Sequence, residues 1–192
     1  MRIDSGKSAS LEAGRIGRLS RTERRVIAVF GFALLTAAAA RVAVPLPGTA
    51  VPFTLQVVAV LLAGVVIGPR LGAASQALYV MAGFAGLPVF MAGGGPAYLL
   101  GPTAGYLIAF PAAAAIAGFF SWRGSGIAWV GLGCVLAMLT VHMGGASWIA
   151  ITLGRDAAIA ALGSFVAGDA LKIALVLLVG SRLRDRGKRL VG

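Results

Sequence analysis

Apolar positions along this chain gather into six long blocks, separated by short clusters of Gly, Pro and Arg. Val26–Val44 is the first block, interrupted late by Arg41; Thr54–Gly68 and Leu71–Leu87 follow on either side of the tight connection Gly68-Pro69-Arg70. Tyr98–Phe120 reads as helical only from near Thr103, and Ile127–Ala146 and Ala158–Ser181 complete the set. About 20 residues at 1.5 Å rise span a ~30 Å hydrocarbon core, so blocks of this length predict transmembrane helices. The intervening Pro45-Leu46-Pro47-Gly48, Pro52 and Gly93-Gly94-Gly95-Pro96 cannot sustain a helix and predict irregular loops. The fold class that follows is an all-α integral membrane protein, a bundle of six transmembrane helices.

Composition strengthens this. Of 192 residues, 59% are hydrophobic and 12% charged, with a mean hydropathy of +0.93, which excludes an ordinary soluble domain. The 28 glycines suit helices that must approach closely in lipid. Small residues recur at four-residue spacing in Ala33/Ala37, Ala39/Ala43, Gly64/Gly68, Gly68/Gly72 and Ala109/Ala113/Ala117. A single Cys134 excludes a disulfide or a thiolate metal framework within one chain.

The net charge of +11 would suit a nucleic-acid binder, but its distribution points elsewhere. Seven of the 17 basic residues precede Val26 and six follow Gly168. Basic flanks on apolar spans are topology signals, so both termini are expected in the cytoplasm. Arg70 and Arg123 then fall in cytoplasmic turns, and Pro45–Pro52, Pro88–Ala97 and Ser147–Asp156 become outer loops. The expected division is a basic, largely disordered tail over 1–25, a bundle over 26–182 and a basic tail over 183–192. A short interfacial helix is expected around Leu19–Arg25. Residues 1–25 are polar for too long to resemble a cleaved signal peptide.

Two charges stand out inside the apolar blocks. Asp169 and Lys172 lie three apart within Ala158–Ser181 and share one helix face. Charges at membrane depth are costly and mark function by default, although an internal ion pair fixing helix register is the competing reading. Asp169 falls in the outer part of its helix, roughly 9 Å from Gly163, on the side of the glycine-rich loops. Thr54 and Gln56 bring polar groups to the start of the second block, where Gln56 either reads an amide-like ligand or satisfies a loop carbonyl. Leu100-Gly101-Pro102-Thr103-Ala104-Gly105-Tyr106 joins a helix break to hydroxyl groups, and broken backbone at membrane depth belongs against protein or a cavity. Tyr98 is open to two readings, a cavity rim or the interfacial aromatic belt. Arg41 reads as snorkelling and His142 as a packing or interfacial residue. No Gly-x-Ser-x-Gly elbow, phosphate-binding Gly-x-x-x-x-Gly-Lys loop or dinucleotide fingerprint is present, so the chain itself is not expected to hydrolyse a nucleotide.

Taken in order, these motifs resemble the BioY family, the biotin-binding S-components of energy-coupling factor (ECF) vitamin transporters. The resemblance is carried by Pro52-Phe53-Thr54-Leu55-Gln56, Leu61-Leu62-Ala63-Gly64 and Gly68-Pro69-Arg70-Leu71-Gly72. It continues through Gly86-Leu87-Pro88-Val89-Phe90, Gly101-Pro102-Thr103-Ala104-Gly105-Tyr106 and Phe110-Pro111 to Gly168-Asp169-Ala170-Leu171-Lys172. Where the family usually has Gly-Gly-Tyr, this chain has Ala104-Gly105-Tyr106, a methyl group that would narrow the pocket slightly.

The resemblance implies a multi-pass subunit of the plasma membrane that captures biotin near the extracellular face. It implies no catalytic residues, metal or cofactor, and no nucleic acid as partner. Delivery inward would need an ECF transmembrane coupling protein (T-component) and two ATP-binding-cassette ATPase subunits, with Ala33 and Ala37 on the coupling surface. Within such a site Asp169 would accept the ureido N–H and Lys172 would meet the carboxylate, or the two roles would be coupled, with Lys172 simply holding Asp169 ionised. Gln56, Tyr106, Thr103, Thr54 and Tyr98 would add polar contacts, and Phe53, Phe90 and Leu87 would cover the ring. An S-component for another small carboxylated vitamin, and a structural subunit without ligand, are the alternative functions.

Overall fold

The computed structural model describes residues 19–45, 51–124 and 126–192, without the side chains of 164–167. Most of the expected N-terminal tail and the centre of the first outer loop therefore lie outside the described residues. Helix α1 spans Arg21–Ala39. It opens on a capping box in which Glu23 N–H donates to Ser20 Oγ at 3.2 Å and Ser20 N–H donates to Glu23 Oε2 at 2.7 Å. The helix thus starts inside the segment read as a tail and runs unbroken into the first apolar block. After it, β1 (Ala43–Val44) pairs antiparallel with β2 (Phe53–Thr54) and closes the loop between them.

Helix α2, Gln56–Phe84, is long and apolar enough to cross a membrane once, yet it does not run straight. At its centre Gly68 has φ 85°, a conformation open to glycine, and Pro69 cannot supply the next backbone N–H. The two arms fold back on each other: a Cβ on Gly72 would lie 2.9 Å from Gly64 Cα, whereas eight residues on a straight helix are about 12 Å apart. Gln56 and Tyr79 accordingly meet side chain to side chain at 2.6 Å, against about 35 Å along a straight helix.

A 3-10 turn at Pro96–Leu100 leads into α3, Ala104–Arg123; α4 is Ile127–Thr152 and α5 is Arg155–Val191. The arms 155–163 and 168–191 of α5 are bent by 50°. Among the described residues α2 is the hub against α1, α3 and α5, and α4 closes on α3 and α5. By length and hydropathy, α2, α3 and α4 qualify as membrane spans, with the bent α5 as a fourth. Small residues set the closest crossings. A methyl group on Gly64 would strike the Ala114 carbonyl at 2.1 Å, and one on Gly105 the Gly144 carbonyl at 2.3 Å. The outward faces carry Phe30, Leu34, Ile108, Leu139, Met143, Ile151, Leu171 and Leu178, all more than half exposed. Exposed apolar surface on this scale suits a lipid surround.

The residues from 183 onward, read above as a tail, continue α5 and pack on the bundle. Gly187 leaves room for the Val66 carbonyl, 1.9 Å from where a Cβ would stand. Arg25 Nε donates to the Val191 carbonyl at 2.8 Å, and Lys188 Nζ to the Trp122 carbonyl at 3.4 Å. Val191 itself is buried with Val66 and Ile67. Basic side chains here satisfy the backbone acceptors of neighbouring helices, which a count of charges cannot reveal.

Candidate functional site

At the bundle end where β1 and β2 lie, α3, α4, α5 and the first arm of α2 diverge around a cavity with about 560 Å³ of empty space, its open mouth included. Its polar lining is Thr54, Gln56, Tyr98, Thr103, Tyr106, His142, Asp169 and Lys172, and its apolar lining includes Val57, Met91, Leu107, Phe110, Met138 and Val141.

Asp169 and Lys172 project from one turn of α5 into this space with side chains 12% and 4% exposed. Lys172 Nζ stands 3.4 Å from Asp169 Oδ1 and 4.0 Å from the centre of the Phe53 ring. An ammonium over an aromatic face is attracted by the ring quadrupole. Gly168 makes that placement possible, because any Cβ there would come within 2.2 Å of the Phe53 ring. The Gly-Asp-Ala-Leu-Lys motif is therefore a seat for Phe53 followed by two charged groups.

The second carboxylate oxygen of Asp169 is taken by His142. Its Nε2 meets Oδ2 from α4, across the bundle. An ionised carboxylate only accepts hydrogen bonds, so Nε2 is the donor. The ring of Tyr106 stands edge-on to the imidazole, with centres 6.3 Å apart, and Gly145 gives Tyr106 its place, 2.1 Å from a would-be Cβ.

A neutral relay lines the same cavity. Thr54 Oγ1 donates to Gln56 Oε1 at 3.2 Å, Gln56 Nε2 to Tyr79 Oη at 2.6 Å, and Tyr79 Oη to the Val89 carbonyl at 3.2 Å. Gln56 thus lines the cavity and is joined to a loop carbonyl through Tyr79. The loop after α2 is tied down as well. Gly95 N–H donates to the Gly83 carbonyl at 2.7 Å, and the Arg41 guanidinium donates to the carbonyls of Pro88 and Met91. Arg41 holds the loop that places Met91 in the cavity wall, where a snorkelling side chain was expected.

Seven of the ten expected ligand residues, Asp169, Lys172, Gln56, Tyr106, Thr103, Tyr98 and Thr54, line this one cavity, whereas Phe53, Phe90 and Leu87 do not appear in its lining. Phe53 lies beneath Lys172. Phe90 is fully buried against Tyr79 and Tyr98, with ring centres 5.5 and 4.8 Å away, in a socket that Gly83 leaves open. Leu87 is 55% exposed. Ala104 is buried but is not part of the cavity wall. Ala33 is 8% exposed and belongs to the core, with the half-buried Ala37 packed against it. His142 is the residue that linear reading underrated; an ionisable group within an apolar span was itself the available signal.

A sequence model of the BioY family matches residues 12–189. A probable biotin transporter BioY of Pyrococcus horikoshii is 39% identical over 155 residues, 80% of this chain and 91% of that protein. Another, from Lysinibacillus sphaericus, is 53% identical over 88 residues, 46% of this chain and 44% of its own length. The biotin transporter BioY of Thermotoga maritima is 38% identical over 122 residues, covering 60% and 71% of the two chains. Among solved structures, the crystal structure of the S-component for biotin from an ECF-type ABC transporter superposes with a TM-score of 0.75 over 96% of this chain and 95% of the other, at 22% identity. At that identity the likeness speaks for the fold.

Proposed function

The chain belongs to the BioY family, and from that premise we propose that it is the substrate-binding membrane subunit of a biotin uptake system. The observation that carries this is one cavity with a carboxylate and an ammonium side by side, an amide and hydroxyls in the same lining, and apolar walls. Biotin matches that layout, with a ureido group at one end, a carboxylate chain at the other and a fused apolar ring in the middle. Asp169 accepts from the ureido N–H, Lys172 meets the carboxylate, and Gln56, Tyr106, Thr103, Thr54 and Tyr98 supply the remaining polar contacts. Phe53 acts through Lys172, while Phe90 and Leu87 contribute behind the wall and at its edge.

In this reading the chain crosses the plasma membrane six times with both termini in the cytoplasm, α2 contributing two antiparallel passes. The distribution of Arg and Lys supports that orientation, and the cavity then opens outward. The subunit binds but catalyses nothing; a T-component and two ATP-binding-cassette ATPases provide the work of delivery. Ala33 and Ala37, packed inward, serve coupling through the seat of α1 on the bundle.

Thermal unfolding of the purified chain tests the reading. A ligand that binds only the folded state stabilises by RT ln(1 + [L]/Kd), about 2.7 kcal/mol at 100 Kd. A rise in melting temperature with biotin, absent with lipoate or pyridoxal, is the expected result. A rise with another carboxylated vitamin alone would move the assignment to that vitamin, and no response to any would leave a structural subunit.

A further inference from the structure

The two oxygens of Asp169 face unlike partners. Lys172, on the same helix, approaches Oδ1 only to 3.4 Å, long beside the roughly 2.7–2.9 Å of a charge-assisted hydrogen bond. Its ammonium also stands over the face of Phe53, 4.0 Å from the ring centre. His142, carried by another helix, makes the close contact, through Nε2 to Oδ2. Had Lys172 been the main support of this carboxylate, the low dielectric of the site would favour a tight, mutually neutralising pair. That pair would present little attraction to an incoming anion.

We propose that His142 is a positioning residue that orients and supports Asp169 from across the bundle, so that Lys172 remains directed at the ligand's carboxylate. The inference rests on the biotin reading of the same cavity and adds a division of labour to it. His142 donates through Nε2 and fixes one carboxylate oxygen. The other oxygen is then presented to a ligand N–H, and the ammonium keeps its charge for a second anion. Without the imidazole, Lys172 closes on Asp169, and recognition of the acid end of the ligand suffers along with recognition of the ureido end.

The test compares biotin with its neutral amide by isothermal titration on the full chain. The wild-type chain is expected to prefer the acid. In His142→Leu, biotin affinity should fall on the order of 10- to 100-fold, the worth of one hydrogen bond to a charged group, and the preference for acid over amide should shrink toward parity. His142→Gln, whose amide nitrogen reaches the place of Nε2, should recover most of both quantities. His142→Asn falls short of Asp169 and should behave like the leucine variant, which keeps the test open if the leucine variant fails to fold. On a Lys172→Met background, which already lacks acid selectivity, His142→Leu should change the acid-to-amide ratio no further. Equal loss of acid and amide binding, or an unchanged ratio in both His142→Leu and His142→Asn, overturns the positioning role. A wild-type chain that binds neither compound removes the biotin reading itself.

Discussion

Two of the small polar clusters among the described residues, one under α1 and one at the cavity, differ in kind. In the last turn of α1, Thr36 Oγ1 donates to the Phe32 carbonyl at 2.9 Å and lies 3.2 Å from Gln76 Oε1, while Gln76 Nε2 donates to Ser75 Oγ at 3.1 Å and Ser75 to the Gly72 carbonyl at 2.8 Å. All three side chains are neutral, fully buried and outside the cavity lining. The His142, Asp169 and Lys172 cluster is ionic, incompletely closed and edged by the cavity. Neutral groups that satisfy one another hold helices together at small net gain in lipid. Charges left beside open space carry a desolvation cost that internal pairing does not repay, which is why the proposed ligand site is placed at the second cluster and not the first.

Breaking the ionic cluster should have the largest effect. Asp169→Asn removes the charged acceptor and leaves Lys172 and His142 beside a neutral amide. Truncating one partner of a buried hydrogen-bonded charge pair costs about 2–5 kcal/mol, so biotin affinity should fall by between tens- and thousands-fold. The variant should still insert and show unchanged helical circular dichroism. Normal affinity would place both clusters in the same structural class.

Lys172→Met comes next. Loss of a charge-assisted contact should cost about 1.5–3 kcal/mol in biotin binding, read by titration, with binding of the neutral amide changed far less. Equal losses for the two compounds would mean that the ammonium supports the site and does not read the acid.

These contrasts were only half visible in the linear chain. The apolar blocks and the Gly68-Pro69 break announce the rods and the hairpin, because backbone conformation at Gly and Pro is local. The i,i+3 spacing of Asp169 and Lys172 places both on one face for the same reason. Which groups meet across helices is not local: His142 and Asp169 are 27 residues apart, and Thr36 and Gln76 are 40 apart. Phe90 and Leu87 belong to one of the motifs that carried the resemblance, yet a motif does not say which side of a turn a ring falls on. The empty socket at Gly83 turns Phe90 away from the cavity. The C-terminal segment reads as a tail because its Arg and Lys count as topology signals; in the structure it continues α5, and Arg184 and Lys188 reach the carbonyls of Ser121 and Trp122.

Beside the ionic cluster lies Gly168, whose missing side chain admits the Phe53 ring under Lys172. Gly168→Ala forces the ring to shift and should cost about 1–3 kcal/mol of stability by overpacking, seen as a lower melting temperature. It should also weaken biotin several-fold, because the ammonium loses its platform. A stability loss with full affinity would show that Lys172 needs no aromatic support.

The smallest expected effect tests the neutral cluster. Gln76→Leu keeps the volume between α1 and the second arm of α2 while deleting the bridge to Thr36 and Ser75. Thr36 Oγ1 retains the Phe32 carbonyl and Ser75 the Gly72 carbonyl, so neither hydroxyl is stranded. Interhelical hydrogen bonds within membranes average about 0.6 kcal/mol, and leucine regains part of that by packing. The melting temperature of the unliganded protein should fall slightly and the affinity for biotin should not move. A clear loss of affinity in Gln76→Leu would mean that the seat of α1 on the hairpin is felt at the cavity, and the separation drawn between the two clusters would give way to a single coupled network.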